Sequence, residues 1–360
     1  MSFHFNIKVL LARALSDLRI GFPVALQKDA SIIAVLPIEN ASSDRIEEFL
    51  NSSESELVLT KRRANKLKAR VYDKSIARIA LPNQVKVSWV RALGDPSLDL
   101  QIPLKGPLTT KRGGDDTLQE LSLELTRKAR LLPAVLAKPT TQEVVQSAHL
   151  SLLNCNAFNE SWQDPAHLTM VSKANIPLHE SIQSTIYLFR ETYAGEEHCA
   201  VVFGNPSPSQ PVLIRHHSAC FTGDVLGSLK CDCRQQLNLG ISEIMKEGHG
   251  VLLYVNQEGR GIGLINKIRA YSLQDQGFDT VEANHRLGFE DDERDFRLGS
   301  EILHLLGFHT VRILTNNPLK VKILEEEGIK VVQRLPVIVK ANKFNAEYLA
   351  IKAKKSGHLL

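Results

Sequence analysis

Three cysteines fall within fourteen residues as Cys220-x10-Cys231-x-Cys233, while the other two of the five, Cys155 and Cys199, stand apart. Cys231 and Cys233 are spaced to clasp one ion from a turn, with Cys220 arriving from the end of a preceding strand. Thiolates at this density favour zinc, and three protein ligands leave a fourth position for water. Zinc in such an open site lowers the pKa of water from ~15.7 to ~7, which supplies hydroxide at neutral pH. Two other arrangements stay open on spacing alone: a structural zinc completed by His216, His217 or another side chain, and buried or redox-active thiols.

Two further stretches have the composition of ligand loops. Gln257-Glu258-Gly259-Arg260-Gly261-Ile262-Gly263 follows the apolar run Val251–Val255 and precedes an amphipathic helix. Its glycines let the backbone approach a ligand and its helix start favours anions, although it matches neither the dinucleotide fingerprint nor a P-loop. Glu258 would repel a phosphate there, so it either faces a donor pair such as N1–H and the 2-amino group of guanine or sits solvated in a plain turn. Thr315-Asn316-Asn317-Pro318-Leu319-Lys320 ends another apolar run. Asn317 suits the N-cap and Pro318 the first helical position, whereas Lys320 opposes the macrodipole. A bound anion accounts for that lysine, and a solvated side chain is the alternative. Residues 280–296 hold six acids and two arginines, which reads as a solvated loop with an acidic helix start unless a partner gives it work.

These residues need elements to hold them. From Val171 onward the pattern alternates. Strands are expected at Ser184–Phe189, Ala200–Phe203, Pro211–His216, Val251–Val255, Val311–Leu314 and Lys330–Gln333, with helices at Cys233–Glu247, Gly263–Gln276, Phe296–Leu306 and Pro318–Glu327. Before it, a helix over 7–20, strands at Ser31–Pro37, Glu56–Thr60, Ile76–Leu81 and Gln84–Val90, and a helix at Thr117–Leu131 suit a smaller α+β domain. The expected organisation is a domain over 1–140, a connection over 141–170 and a catalytic domain over 171–360, in a mixed α+β, broadly α/β, protein.

At 360 residues, with 43% hydrophobic and 23% charged residues, the chain has material for about two cores, and disordered and fibrous classes are excluded. No run approaches the ~20 apolar residues of a membrane span, and Arg13, Asp17 and Arg19 interrupt the N-terminal apolar stretch, so a cytoplasmic protein is expected. The net charge of +4 is uneven: residues 1–140 carry 22 Lys and Arg against 15 Asp and Glu, densest over Lys61–Arg70. No aromatic residues interleave there for base stacking, so a solvated helix face is preferred to a nucleic-acid patch.

Taken in order, His217-Ser218-x-Cys220-x-Thr222-Gly223-Asp224-x4-Leu229-x-Cys231-Asp232-Cys233, Gln257-Glu258-Gly259-Arg260, Lys267–Gly277, Asp279–Asn284, Asp292-Glu293-Arg294-Asp295-Phe296, Leu314–Pro318 and the closing Gly357-His358-Leu359-Leu360 resemble GTP cyclohydrolase II. The resemblance runs in order over roughly residues 171–360, about half the chain. The resemblance implies hydrolysis of GTP to 2,5-diamino-6-(5-phosphoribosylamino)pyrimidin-4(3H)-one, formate and diphosphate, the first committed step of riboflavin synthesis. It implies one Zn2+ per subunit on Cys220, Cys231 and Cys233, with Mg2+ accompanying GTP, in a homodimer. By the same resemblance Arg294 is the nucleophile at the α-phosphate, Asp292 its proton acceptor, and Tyr271 stands near the reacting imidazole ring. GTP contacts fall on Arg215, His216, His217, Ser218, Ala219, Gln236, Glu258, Gly259, Arg260, Thr280, Thr315 and Lys320. An arginine needs such a carboxylate, because its pKa is above ~12.

Two departures stand out. Where the family commonly has Arg-Val-His-Ser-Glu, this chain has Arg215-His216-His217-Ser218-Ala219, so an acid beside the first zinc ligand is absent. Residues 1–140 faintly resemble a shortened 3,4-dihydroxy-2-butanone 4-phosphate synthase domain without its metal-binding acids, which implies an inert domain. A related ring-opening hydrolase with another substrate or product, and a nucleotide-binding regulatory protein, are the competing readings.

Overall fold

In the computed structural model, residues 7–156, 167–179, 183–192, 195–340 and 342 are described. The closing Gly357–Leu360 motif lies outside them. The chain divides into two compact units, the first comprising Met1–Asp164 with Ile265–Asp292, the second Pro165–Leu264 with Glu293–Leu360.

The first unit is built on a sheet of β1 (Val24–Lys28), β2 (Ser31–Pro37), β3 (Glu56–Thr60), β4 (Ile76–Ala80), β5 (Ala134–Pro139) and β6 (Leu152–Asn154), in the order β4-β3-β5-β2-β1-β6. All its pairings are antiparallel except β1 with β6. Successive side chains point to opposite faces of a strand, so its near-continuous apolar runs require cover on both sides. Val35, Val58 and Val135 pack with Leu18 of α1 (Ile7–Arg19), while Leu36, Leu57 and Leu136 join Ile46 and Phe49 of α2 (Ser43–Leu50). The helices α3 (Lys61–Lys66), α4 (Val87–Gly94), α5 (Thr117–Lys128) and α6 (Gln142–Ser147) lie in the same part of the chain.

Two expectations are corrected here. Gln84–Val90 is not a strand: α4 starts at Val87, because Val90 and Leu93, three apart, both bury fully in the core. Residues 141–154 are not mere connection. They hold α6 and β6, and β6 lies beside β1 in register Ala25 to Leu152. A three-residue strand has too little length for a period to show in sequence.

The second unit carries β7 (Leu168–Asn175), β8 (Ser184–Glu191), β9 (Glu197–Phe203), β10 (Val212–Ser218), β11 (Gly250–Val255), β12 (Thr310–Leu314) and β13 (Lys330–Leu335), ordered β13-β12-β10-β11-β9-β8-β7. The first four in that order are parallel, and the last three add antiparallel strands. Helix α7 (Cys233–Glu247) follows β10, and its Ile244 packs with Leu213 and Leu252. On the opposite face Ile302 of α10 (Arg297–Leu306) packs with Ile214, Leu253 and Ile313. Since β11 and β12 flank β10 on opposite sides, the chain reverses its winding at β10, and the crevice beyond the carboxyl ends of such strands is where α/β sheets bind ligands. Helix α11 (Pro318–Glu326) opens beyond β12.

The segment returned to the first unit contains most of α8 (Gly263–Asp275) and all of α9 (Thr280–Leu287). Helix α9 is fixed locally by a capping box: Val281 and Glu282 N–H groups donate to Asp279, and the Asp279 N–H donates to Glu282. Half of the acidic stretch is therefore helix, and the remainder, from Phe289 to Asp295, is irregular.

Candidate functional site

The carboxyl ends of β10, β11 and β12 carry the three stretches singled out by composition. Beyond β10, the turn Phe221–Val225 folds back so that Cys220, Cys231 and Cys233 present sulfurs within 4.8 Å of one another. Cys220 and Cys231 Sγ stand 3.8 Å apart. Tetrahedral Zn–S bonds of ~2.3 Å give sulfur separations of ~3.8 Å, so the donor set fits a zinc ion in type and spacing. Gly223 is the floor of this cradle, since a Cβ there would stand 2.7 Å from Cys231 Sγ and 3.0 Å from Cys220 Sγ. The hydrogen bond with Cys220, with burial, pushes the Cys231 thiol up to about 11, and Cys233 rises well above its usual value. Thiols this close do not ionise together without a cation between them, which a divalent metal supplies. Neither His216 nor His217 belongs to the cluster.

Alternation along β10 sends Arg215 and His217 to one face and His216 and Ser218 to the other. Arg215 is 5% exposed, donating from Nη1 to Leu314 O at 2.9 Å and from Nη2 to Gln236 Oε1 at 2.7 Å. Burial lowers its pKa to about 10, so it stays cationic at neutral pH. His217 Nε2 faces the Asp224 carboxylate at 3.2 Å and its ring stacks on Tyr254. Asp224 also accepts from Tyr254 OH and from Cys220 N–H, both at 3.0 Å. A buried acid thus ties the first thiol's backbone to two strands. Composition alone did not assign Asp224 a role; its one signal is an acid four residues after a cysteine in a Gly-containing turn.

On the other face, Arg294 donates from Nη1 to Ser218 Oγ at 3.2 Å, and its guanidinium lies 4.8 Å from the Phe296 ring centroid. Lys320 Nζ lies 5.2 Å from the same centroid and donates to His216 O at 2.7 Å. Two cations on one ring form an anion-attracting surface with an apolar floor. Asn317 caps α11 by accepting from Leu319 N–H at 3.0 Å, and Thr315 Oγ1 accepts from Asn317 N–H at 3.0 Å. This places Lys320 in the first turn of α11, as its spacing implies. Ala219 N–H donates to Val255 O at 2.8 Å, linking β10 to the end of β11.

The glycine stretch is a tight turn. Arg260 is a non-glycine residue at φ +59°, and Gly261 at φ +93° is required because a Cβ would stand 2.6 Å from Glu293 O. Glu258 is buried, accepting from Phe221 N–H at 2.5 Å and Gly259 N–H at 2.9 Å. Its carboxylate therefore braces the thiol turn, a role the composition did not suggest.

The structure gathers Cys220, Cys231, Cys233, Arg215–Ala219, Gln236, Glu258–Arg260, Arg294, Thr315 and Lys320 in the second unit, and places Tyr271, Thr280 and Asp292 in the first. In the first unit, Lys267 Nζ stands 5.7 Å from the Tyr271 ring, and Thr280 Oγ1 accepts from Gln274 at 3.1 Å.

An α/β sheet whose switch point carries a three-thiol cluster and a pair of cations defines the class: an enzyme-type site suited to a metal and an anionic ligand. The family model for GTP cyclohydrolase II matches residues 169–336. The protein named GTP cyclohydrolase-2 in Azospirillum brasilense is 40% identical over 357 residues, covering 96% of this chain and 93% of its own. The GTP cyclohydrolase-2 of Proteus mirabilis is 60% identical over 172 residues, covering 48% of this chain and 86% of its own. This chain belongs to the GTP cyclohydrolase II family. Among solved structures, RibBX, a two-domain 3,4-dihydroxy-2-butanone 4-phosphate synthase from A. baumannii, aligns over 92% of this chain and 99% of its own at 14% identity, but its TM-score of 0.32 is too low to define a common fold.

Proposed function

We propose that the protein is a zinc-dependent GTP cyclohydrolase II, converting GTP to 2,5-diamino-6-(5-phosphoribosylamino)pyrimidin-4(3H)-one, formate and diphosphate at the head of riboflavin synthesis. The observation that carries this reading is the zinc-fitting thiol cluster, in a chain 40% identical to a GTP cyclohydrolase-2 over nearly its whole length. Zinc held by Cys220, Cys231 and Cys233 would supply Lewis acidity and lower the pKa of water near C8; one water added at C8 opens the ring to a formamide, and a second releases formate. Arg294 attacks the α-phosphate through a guanidine nitrogen after giving a proton to Asp292, and the bond to diphosphate breaks as the new P–N bond forms. Water then cleaves the P–N bond and restores the arginine. Lys320 holds negative charge on the phosphates, the buried Arg215 adds to the positive field from the other face of β10, and Mg2+ would accompany the triphosphate. Tyr271 donates or relays a proton at the ring. His216, His217, Ser218, Ala219, Gln236, Glu258, Gly259, Arg260, Thr280 and Thr315 are the remaining proposed contacts to GTP.

Residues 1–140 are read as an inert, butanone-phosphate-synthase-like domain, and the protein as a cytoplasmic homodimer whose cysteines, not joined in disulfides, suit a reducing compartment. Among the described residues no helix is long and apolar enough to cross a membrane.

The test is formate and diphosphate release from GTP by the full-length protein, with zinc quantified, beside Cys231→Ser. The expected result is about one zinc per wild-type chain, with both metal and turnover lost in the variant. Turnover that survives without metal would overturn the zinc-dependent reading.

A further inference from the structure

Residues 265–292 leave the second unit and return to it at a closed neck. Inside that unit, the Glu293 N–H donates to Arg260 O at 2.9 Å, and Gly261 packs without a side chain against the Glu293 carbonyl. The excursion between these points belongs to the first unit, and polar, directional contacts recur along it there. Asn266, fully buried, donates from Nδ2 to Arg130 O at 2.9 Å and accepts from Arg269 Nη1 at 2.8 Å. Arg269 Nη1 also donates to Glu39 Oε1 at 2.8 Å, and Glu39 Oε2 accepts from Leu132 N–H at 2.6 Å. Asp95 stands 3.7 Å from Arg269 Nε. A second hold is at the end of α9, where Gly288, at φ +90°, admits no Cβ because Pro133 Cγ would be 2.7 Å from it, and Arg62 pairs with Glu290 at 2.6 Å.

We propose that residues 39–133 of the first unit form a positioning clamp on this excursion, fixing Tyr271, Thr280 and Asp292 for the reaction. The inference rests on the GTP cyclohydrolase reading for the roles of those three residues, while the clamp itself rests on the contacts above. Glu39 is its centre: one carboxylate joins the turn after α5 to the arginine two residues before Tyr271. The charged pair is largely shielded from water, Glu39 being 9% exposed in its side chain and Arg269 21%, so it is directional rather than a loose surface pair. The first unit thereby contributes to turnover without a reaction of its own, and Glu39, Asn266 and Arg269 are positioning residues.

The test compares full-length wild type with Glu39→Ala, Arg269→Ala, the double variant and Arg269→Lys, each scored for zinc per chain, kcat and KM for GTP, and amide hydrogen exchange. The expected result is faster exchange across Ile265–Leu287 with β10 and β11 unchanged, zinc unchanged, and kcat lowered by ~10-fold or more, as misplacement of reacting groups by about an ångström produces. The double variant is expected to match the worse single one, and Arg269→Lys to recover part of the rate. A general loss of fold would instead lower zinc content along with the rate. An active wild type whose variants keep kcat, or unchanged exchange in 265–287, would overturn the clamp. A wild type without turnover counts against the GTP reading, and the exchange comparison then decides the clamp by itself.

Discussion

His216 and His217 are neighbours in one strand with opposite surroundings. His217 has Asp224 at one nitrogen, whereas His216 is fully buried between Phe296 and Gly299 with neither ring nitrogen hydrogen-bonded. Burial, reinforced by Lys320, Arg294 and Arg215, holds the His216 pKa well below 6.5, and burial also lowers His217 in spite of Asp224. A base with a depressed folded pKa is neutral in the native state and protonated in the unfolded chain as pH falls below ~6.5. The unfolded state then binds more protons, so stability is complete above that pH and lost below it, at up to ~1.4 kcal/mol per pH unit for each group. Replacing His216 with the family's common valine removes one such group. The His216→Val melting temperature is therefore expected to fall less than that of wild type between pH 7.5 and 5.5, measured at matched zinc occupancy. Equal slopes would contradict the assignment of that acid sensitivity to His216.

At the scale of elements, the thiol cluster depends on how tightly the turn after β10 closes. Gly223 fits against the Cys231 and Cys220 sulfurs and the Cys233 Cβ only because it lacks a side chain, and Gly223→Ala is expected to reduce zinc per chain well below one and formate release in proportion. Metal analysis after gel filtration checks this, and full zinc occupancy would contradict it. The strands that end at these motifs were legible because their apolar runs are bounded by turn residues: the expected Pro211–His216, Val251–Val255 and Val311–Leu314 form as β10, β11 and β12 with ends shifted by no more than about two residues. Val85–Val90 misled because Val-Lys-Val-Ser-Trp-Val alternates like a strand while Val90 and Leu93 meet the core as a helix. Tertiary burial decided between the two periods. The cysteines, Lys320 and the capped start of α11 were legible from residue type and spacing. The bracing by Asp224 and Glu258 was not, because it consists of hydrogen bonds to backbone groups 4 and 37 residues away.

For the whole molecule, the division into compact units differs from the division expected from the sequence. Residues 265–292 lie in the midst of the segment resembling GTP cyclohydrolase II, yet they pack with the first unit through Asn266, Arg269, Gly288 and Glu290. No local pattern announces this, since each contact joins residues more than a hundred positions apart. On the clamp proposed above, the first unit takes part in turnover without reaction chemistry of its own. The central claim, that the zinc-fitting cluster and its neighbours open the GTP ring and expel its carbon, is tested most directly by following C8. With GTP carrying carbon-13 at C8 and the zinc-loaded full-length protein, the label is expected to leave as free formate in equal amount with diphosphate, observed by nuclear magnetic resonance. Label that stays in the nucleotide, as unreacted GTP or as a retained formamide, would contradict the account.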